Sequence, residues 1–545
     1  MRKTFITWLM CTASFASIAQ NNYSNFSQQS SRLNSLSKQY STYAKLVSLA
    51  KTAGGKEVWM LVLGTGNTES KPGIAIVGGV EGNHLLGTEL AIGFAEKLLK
   101  MSGTDSIKNL LAKTSFYIFP NMSPDAMEQY FAPIKYERMG NATQTDDDRD
   151  GKINEDGYDD LDGNGKITMM RIASPVGDYR ISTEDPRVMV KADNAKGEKG
   201  NYFLLTEGID NDKDGSFNED GEGGVWFNKN FSFKHPSFTP GSGEFAVSEN
   251  ETRAIADKLY ELFNVYAVIS FSSINNLSAA LTFNAANIKE RVITGWLEAD
   301  VKTNTMVADL YNKTTAMKDA PKSIASAGGD FASWAYYHYG RLSFSTPGWF
   351  VPKAKTDTAL KEKPLSDTVA NYLKWAAQQN LPNQFTEWKK ILHPDYPGEL
   401  VEVGGLDPFV MINPPYAMTE DIVTKHTNFL IKLAALQPSV DIVNVKTENL
   451  GAGLTRITAD IINKGAMPSH AKLGERSYWV KRINVKLNTA GNQTIISGKK
   501  IQLLPSLEGY SKNTITWLVK GTGNVNIEAG SPTTGIKSST ISLKP

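Results

Sequence analysis

Hydrophobic positions follow three different patterns along this chain. In the first half, four uninterrupted apolar runs bounded by glycine, proline or polar residues predict buried strands. These runs lie at residues 58–63, 74–77, 116–119 and 265–271. From Leu86 to Leu98, apolar residues return every four positions, which predicts a helix with one buried face. Strands that alternate with helices indicate an α/β domain with a mostly parallel sheet covered on both faces.

A second pattern begins at Gln437-Pro438, where the helical spacing stops. Polar and apolar residues then alternate in segments separated by turn residues, which is typical of half-buried strands. The segments lie at residues 441–445, 455–462, 483–487 and 514–519. We therefore expect a C-terminal all-β sandwich over residues 437–545, after an α/β domain over residues 20–436.

The third pattern is an Asp- and Gly-rich insert over residues 134–225, which contains three runs of the form Asp-x-Asp-x-(Asp/Asn)-Gly. Their acidic and amide residues are Asp146, Asp148, Asp150, Asp160, Asp162, Asn164, Asp210, Asp212 and Asp214. Oxygen ligands at alternate positions suit calcium, and the glycine permits a sharp turn. An ordinary helix–loop–helix calcium loop carries glutamate at position twelve. That position is Gly157 in the first run and Arg171 in the second, so these are not loops of that kind. Structural calcium sites and solvated Asp-Gly turns are both compatible with this pattern.

The N-terminus has the pattern of a secretory signal peptide. Arg2 and Lys3 precede an apolar run that ends in small residues at Ala19, and this run is too short to span a membrane. A lipid anchor on Cys11 would need a small residue before it, where the chain has Met10. We expect cleavage of residues 1–19 near Ala19 and a secreted or periplasmic protein without a transmembrane segment. Cys11 is the single cysteine, so the mature chain would hold neither disulfides nor thiolate metal sites.

Composition limits the function further. Hydrophobic residues make up 41% and charged residues 21% of the 545, which is typical of a globular chain and excludes a wholly disordered one. The formal net charge is +1, and this balance argues against nucleic acid as a partner.

Several segments, taken in order, resemble one enzyme family. They are Ala75-Ile76-Val77-Gly78-Gly79-Val80-Glu81-Gly82-Asn83-His84, Pro120-Asn121-Met122-Ser123-Pro124-Asp125, Phe227-Asn228-Lys229-Asn230-Phe231, Trp334-Ala335-Tyr336 and Ser343-Phe344-Ser345-Thr346. Over about residues 40–435 the chain resembles the zinc carboxypeptidases, the carboxypeptidase A-like metallopeptidases. The resemblance implies a mixed eight-stranded sheet between helices, a zinc cofactor, and hydrolysis of C-terminal peptide bonds.

The metal-binding residues depart from the pattern that this resemblance implies. The family holds zinc with His-x-x-Glu and a later histidine, whereas this chain has Glu81-x-x-His84, with the two residue types exchanged. The third ligand is expected near residues 272–276, and that segment contains no histidine. Glu81 and His84 are therefore candidates for a degenerate zinc pair.

The candidate catalytic residues also depart from it. The resemblance places Asn228 in the site, puts Lys229 at the arginine that grips the substrate carboxylate, and puts Tyr336 at the family's mobile tyrosine. Lysine keeps the charge but lacks the two-pronged guanidinium. Pro347 and Gly348 follow where a proton-accepting glutamate is expected.

Three hypotheses remain open from the sequence. The first is an exported protein of the zinc carboxypeptidase family whose catalysis is lost or greatly reduced, and which binds a peptide or peptidoglycan-like ligand. The alternative is an active metallocarboxypeptidase that uses a rearranged metal site. A structural or surface-display role, based on the acidic loops and the C-terminal module, is the third. In each case a concave pocket is expected at the carboxyl ends of the strands.

Overall fold

Alternate side chains of the central strands pack into two separate hydrophobic cores. The structure is a computed structural model that describes residues 22–147, 150–221, 223–317, 320, 328–357 and 363–544. Ile74 and Ile76 face one core, whereas Ala75 and Val77 face the other. This two-residue period is the expected consequence of a pleated strand with helices on both faces.

The strands are numbered in chain order. They are β1 (Ala44–Lys51), β2 (Glu57–Leu63), β3 (Gly73–Val77), β4 (Ser115–Phe119), β5 (Met169–Ala173), β6 (Tyr179–Ile181), β7 (Met189–Lys191), β8 (Tyr202–Thr206), β9 (Val265–Phe271), β10 (Leu342–Thr346), β11 (Phe385–Ile391), β12 (Val401–Leu406), β13 (Val440–Gly451), β14 (Leu454–Asn463), β15 (Asn484–Asn488), β16 (Thr494–Ser497), β17 (Ile501–Leu503), β18 (Lys512–Lys520), β19 (Gly523–Ser531) and β20 (Gly535–Leu543).

The α-helices are numbered in the same way. They are α1 (Phe26–Gln39), α2 (Leu85–Lys100), α3 (Asp105–Lys113), α4 (Pro124–Met127), α5 (Asn250–Glu261), α6 (Glu298–Thr315), α7 (Phe331–Tyr337), α8 (Thr368–Gln378) and α9 (Thr419–Ala435). Residues of α5 and α7 pack in one core of the central sheet, and residues of α2, α6, α8 and α9 pack in the other.

The central sheet is mixed, as predicted, and has the order β1-β2-β4-β3-β9-β10. The first three strands pair antiparallel, and the remaining pairs are parallel. Within the described residues it has six strands, so the expected number of eight is wrong. Because β3 and β9 are parallel neighbours, the segments that follow them meet at one edge of the sheet.

The acidic insert contributes to a second sheet, which the sequence pattern did not reveal. Its order is β11-β12-β5-β8-β6-β7, so two strands from residues 385–406 complete it. Arg171 on β5 and Glu402 on β12 form an ion pair with an Nε–Oε2 distance of 2.9 Å. Glu402 is therefore used within this sheet rather than in the cleft described below.

Residues 440–543 form two four-stranded antiparallel sheets around one core of their own. Two buried charged side chains attach this module to the first domain. Asp300 accepts backbone hydrogen bonds from Lys472 and Leu473 at 2.7 and 3.0 Å. Arg341 donates to the carbonyl of Trp479 at 2.8 Å.

The expected signal peptide, residues 1–19, lies outside the described residues, as does Asp148. Among the helices of the described part, none combines the length and the apolar character needed to cross a bilayer.

Candidate functional site

The turn after β3 carries the two candidate zinc ligands into the interior. Gly79 has a φ of +58°, and a Cβ there would lie 2.4 Å from Oδ1 of Asn121. A side chain at this position would therefore collide with the loop after β4. The turn continues through Glu81 to His84, which immediately precedes α2. Only 6% of the Glu81 surface and 2% of the His84 surface are exposed.

Glu81 is held by hydrogen bonds from the neighbouring strand ends. Its Oε1 atom accepts from Nδ2 of Asn228 at 2.8 Å and from Oγ of Ser272 at 2.6 Å. It also accepts from the backbone N and the Oγ of Ser273, at 3.1 and 2.9 Å. Four donors thus converge on one carboxylate oxygen, and two of the three donor residues directly follow β9.

His84 is wedged between α2 and the ends of two strands. Its Nε2 lies 3.0 Å from the carbonyl oxygen of Pro347, and this contact requires a hydrogen on Nε2. A Cβ on Gly87 would lie 3.0 Å from His84 Nδ1, so only glycine leaves room for the ring there. Burial lowers the pKa of His84, which favours the neutral ring. The ring therefore packs against Gly87 of α2 and contacts the Pro347 carbonyl at the end of β10.

These residues do not fit a zinc ion of the kind that the family implies. Oε1 of Glu81 is used by four donors and Nε2 of His84 faces a carbonyl. Oε2 of Glu81 and Nδ1 of His84 remain without a hydrogen bond within the described residues, and two such atoms are fewer than the three protein ligands of a catalytic zinc site. Ser272 and Ser273 occupy the region where the third ligand is expected, and they donate to Glu81 instead. Within the described residues, the groups of three or more side chains suited to a metal all lie in the acidic insert.

The five remaining histidines are engaged elsewhere. Their contacts are His235 with Ser237 and Ser242, His338 with Ser232, His393 with Gly208, His426 with Tyr311 and Ile422, and His470 with Ser469. Sequence spacing had already excluded a histidine near residues 272–276, and the fold brings none there from a distance.

Of the three candidate catalytic residues, only Asn228 contacts the Glu81 cluster. Nζ of Lys229 donates to the Pro240 carbonyl at 2.5 Å and lies 4.8 Å from the ring centre of Trp226. Tyr336 is buried in the core and donates its hydroxyl to Asp300 at 2.8 Å. In this structure Tyr336 thus lies away from the cleft, bonded to a carboxylate that also accepts from the C-terminal module.

Above Glu81 and His84 lies a cleft of about 670 Å³. Its walls are largely apolar, with a few polar side chains from the turn after β3, the segment after β9, α8 and the loop before α8. The apolar lining residues are Met139, Trp349, Phe350, Val351, Leu365, Met411 and Ile412, and the polar ones include Asn83, Ser273, Asn275, Ser366, Asp367 and Asn371. In the part of the chain that the structure describes, neither Lys229 nor Tyr336 lines this cleft. A volume of this size is typical of a small-molecule or peptide-end site.

The first and third acidic runs pair with each other. Asp156 accepts from the backbone N of Asn211 and Asn218, at 2.9 and 2.5 Å. In return, Asp220 accepts from the backbone N of Asp147 and Asn154, both at 3.1 Å. The two loops thus exchange equivalent contacts, and Asp156 and Asp220 also form an antiparallel bridge.

Carboxylate oxygens approach one another closely in this insert. Three groups have oxygens within 4.8 Å of one another; they are Asp150 with Glu155 and Asp212, Asp160 with Asp162 and Glu207, and Asp210 with Asp212 and Asp214. Desolvation, with Asp156 as a neighbour, raises the pKa of Glu219 to about 7. Asp146, Asp160 and Asp210 each accept a hydrogen bond from the glycine five positions later.

The fold has a mixed sheet between helices, and the turn after β3 meets the end of β9 beneath a cleft. This arrangement defines a carboxypeptidase-like α/β protein. The chain belongs to the zinc carboxypeptidase family, whose model matches residues 30–356. A domain of unknown function matches residues 439–542.

Individual relatives match only in part. Carboxypeptidase M of Mus musculus is 30% identical over 112 residues, which cover 20% of this chain and 25% of the relative. Carboxypeptidase D of Mus musculus is 28% identical over 95 residues, covering 17% of this chain and 7% of the relative. The chain thus spans a quarter or less of the length of these curated relatives.

Among solved structures, bovine thrombin-activatable fibrinolysis inhibitor in complex with tick carboxypeptidase inhibitor has 12% identity and a TM-score of 0.40. The match covers 76% of this chain and 97% of that one. Carboxypeptidase A from Helicoverpa armigera has 13% identity and a TM-score of 0.36, and the match covers 66% and 71%.

Proposed function

We propose that this protein is an exported member of the zinc carboxypeptidase family whose hydrolytic activity is lost or greatly reduced. Its cleft above Glu81 and His84 would bind a peptide or peptidoglycan-like ligand without cleaving it. Export rests on the signal-peptide pattern of residues 1–19 and implies a secreted or periplasmic location.

The observation that carries this proposal is the convergence of four donors on Oε1 of Glu81. Serine hydroxyls stand where a histidine ligand is expected, and they donate to Oε1 of the carboxylate instead of binding a metal. Zinc hydrolysis needs a metal to acidify water and a base to accept its proton. A base is also lacking at the expected place, because Pro347 and Gly348 follow β10 and the Pro347 carbonyl binds His84.

The rearranged-site alternative has one observation in its favour. Oε2 of Glu81 and Nδ1 of His84 are both buried and make no hydrogen bond within the described residues. Both are atom types that zinc accepts, but two ligands are fewer than the three protein ligands of a catalytic site. We favour the binding protein because, among the described residues, no third metal-binding side chain joins these two.

Peptide hydrolysis separates the two functions. The purified protein is incubated with peptides that have apolar C-terminal residues, with and without added zinc, and free amino acids are measured. We expect no release above the buffer control. Release that Glu81→Gln or His84→Ala abolishes, and that Lys229→Ala leaves unchanged, would instead identify an active site built on the exchanged pair.

A second binding function is calcium binding by the acidic insert. The reciprocal contacts of Asp156 and Asp220 hold the first and third runs side by side, and carboxylate oxygens gather in three groups. Hard oxygen ligands in close groups suit calcium. We propose a structural role for these ions, because the runs do not line the cleft above Glu81.

A further inference from the structure

A second groove, of about 490 Å³, lies where the C-terminal module meets the first domain. The first domain contributes Phe233, Tyr260, Tyr337, His338 and residues 291–293, and the module contributes residues between 473 and 479. It shares no lining residue with the cleft above Glu81. It is therefore a separate candidate site.

Buried links fix the two sides of this groove relative to each other. Asp300 on α6 accepts from the backbone of Lys472 and Leu473, at the start of the short 3-10 helix Leu473–Arg476 that borders the groove. Arg341 is 1% exposed and donates to the carbonyl of Trp479. A groove held in this way is preorganised, which lowers the entropic cost of binding a ligand.

Aromatic side chains form the walls of the groove. Tyr260 and Trp479 stack with ring centres 4.2 Å apart and an angle of 25° between the planes. Phe233 and Tyr337 stack at 3.9 Å and 10°. Tyr478 meets Trp479 edge to face and is 76% exposed. In each stacked pair one face of each ring is covered by the other ring, and Phe233 is buried. The ring most open to a ligand is therefore that of Tyr478, whose centre lies 4.4 Å from Nζ of Lys481.

The charge in the groove has a single sign. Arg291 and Arg476 line it, are both exposed, and form no ion pair within the described residues. No aspartate or glutamate is among the lining residues. The nearby carboxylate of Glu475 is held by Lys472 at 2.9 Å and by the backbone N of Ser506 at 2.7 Å. The two guanidinium groups are thus available to an anion, and their planar fork suits carboxylates.

We propose that this groove binds an acidic glycan. The C–H face of a pyranose ring would stack on the exposed ring of Tyr478, and its carboxylates would pair with Arg291 and Arg476. Flat, fixed aromatic faces favour sugar rings over an acidic peptide, because an extended peptide gains most of its affinity from a sheet edge or deep side-chain pockets. The site is independent of the proposed function of the Glu81 cleft.

Calorimetric titration of the full chain tests this proposal. The probes are oligomers of galacturonic acid and of glucuronic acid, a neutral galactose oligomer of the same length, and an oligoglutamate peptide. We expect saturable binding of at least one uronic acid oligomer, at least tenfold tighter than that of the neutral sugar or the peptide. Binding should weaken as salt rises.

Variants localise the binding. Tyr478→Ala and the double variant Arg291→Ala/Arg476→Ala should each weaken binding at least tenfold while the melting temperature stays unchanged. The matched controls Tyr510→Ala and Arg456→Ala alter exposed module residues outside the groove and should leave affinity as it was. The proposal is overturned if neither uronic acid oligomer binds, if oligoglutamate or the neutral sugar binds equally well, or if the controls lose as much affinity as the groove variants.

Discussion

The hydroxyl of Ser272 donates to Oε1 of Glu81 across 2.6 Å, joining the end of β9 to the turn after β3. Ser273 adds two donors to the same oxygen. Oε1 is thus held by donors from the neighbouring strand end, whereas Oε2 makes no hydrogen bond within the described residues. These hydrogen bonds tie β9 to the turn after β3, and we expect them to contribute to folding stability.

The serines should accordingly matter for stability. Replacing both, as Ser272→Ala/Ser273→Ala, removes two of the four hydrogen bonds to Oε1, and a hydrogen bond to a charged group contributes about 1.5–3 kcal/mol. We expect the free energy of unfolding in urea to fall by about 2–4 kcal/mol. Ser538→Ala, on the exposed face of β20, is the control and should change it little. Equal stability of the double variant and the native chain would contradict this account of Glu81.

Glu251 gives a pH-dependent prediction. Burial raises its pKa to about 7, although Asn141 donates to its Oε1 at 2.8 Å. The folded chain thus binds this proton more tightly than the unfolded chain, so the carboxyl favours folding at low pH. That contribution is lost as the pH rises from the usual pKa of glutamate towards the raised pKa of about 7.

Glu251→Gln should therefore stabilise the protein at pH 8, by on the order of 2–3 kcal/mol, and change it little at pH 4.5. Thermal unfolding of the variant and the native chain at both pH values measures the difference. The control is Glu261→Gln at the exposed end of the same helix. A stabilisation that is the same at both pH values would show that charge burial is not the cause.

Calcium should stabilise the insert over residues 134–225, because its grouped carboxylates repel one another without a cation. A chelator is expected to lower the melting temperature or to increase proteolysis within these residues. Calcium at 100 times its dissociation constant would add about 2.7 kcal/mol if only the folded state binds it. Asp210→Ala should reduce the response to calcium, and Asp257→Ala, exposed on α5, should not. Identical melting and cleavage with chelator and with calcium would favour solvated Asp-Gly turns.

The C-terminal module should fold alone, because residues 440–543 enclose their own apolar core. Residues 437–545 expressed separately are expected to unfold cooperatively with a β-type circular dichroism signal. In the full chain, Asp300→Ala removes the acceptor of Lys472 and Leu473 and should separate the unfolding of the two domains. Asp309→Ala, exposed on the same helix, is the control. A disordered fragment would show that the module depends on the first domain.

The central strands could be predicted from sequence because their apolar runs are continuous. The predicted strand at residues 265–271 coincides with β9, and the run at 116–119 differs from β4 by one residue. The second sheet was missed because its strands are short and β5 pairs with β12, about 230 positions away along the chain. Local periodicity carries no information about such a pairing.

The candidate site was only partly predictable for a similar reason. The missing histidine near Ser272 and the absence of a base at Pro347 are visible in the sequence. The direction of a side chain is not, and Lys229 turns to Trp226 while Tyr336 turns to Asp300. The two serines after β9 could have indicated the donors of Glu81. Parallel neighbouring strands such as β3 and β9 have their carboxyl ends at the same edge of the sheet, so residues that follow them lie close together.

Zinc content tests the central claim most directly. The native protein and a restored variant, Glu81→His/His84→Glu/Ser273→His, are equilibrated with zinc, dialysed, and analysed for metal per chain. We predict that the native protein retains no stoichiometric zinc, while the restored variant retains more because it regains three ligands of the family type. Retention of one zinc per native chain, lost on Glu81→Ala or His84→Ala, would contradict the account and identify the exchanged pair as a working metal site.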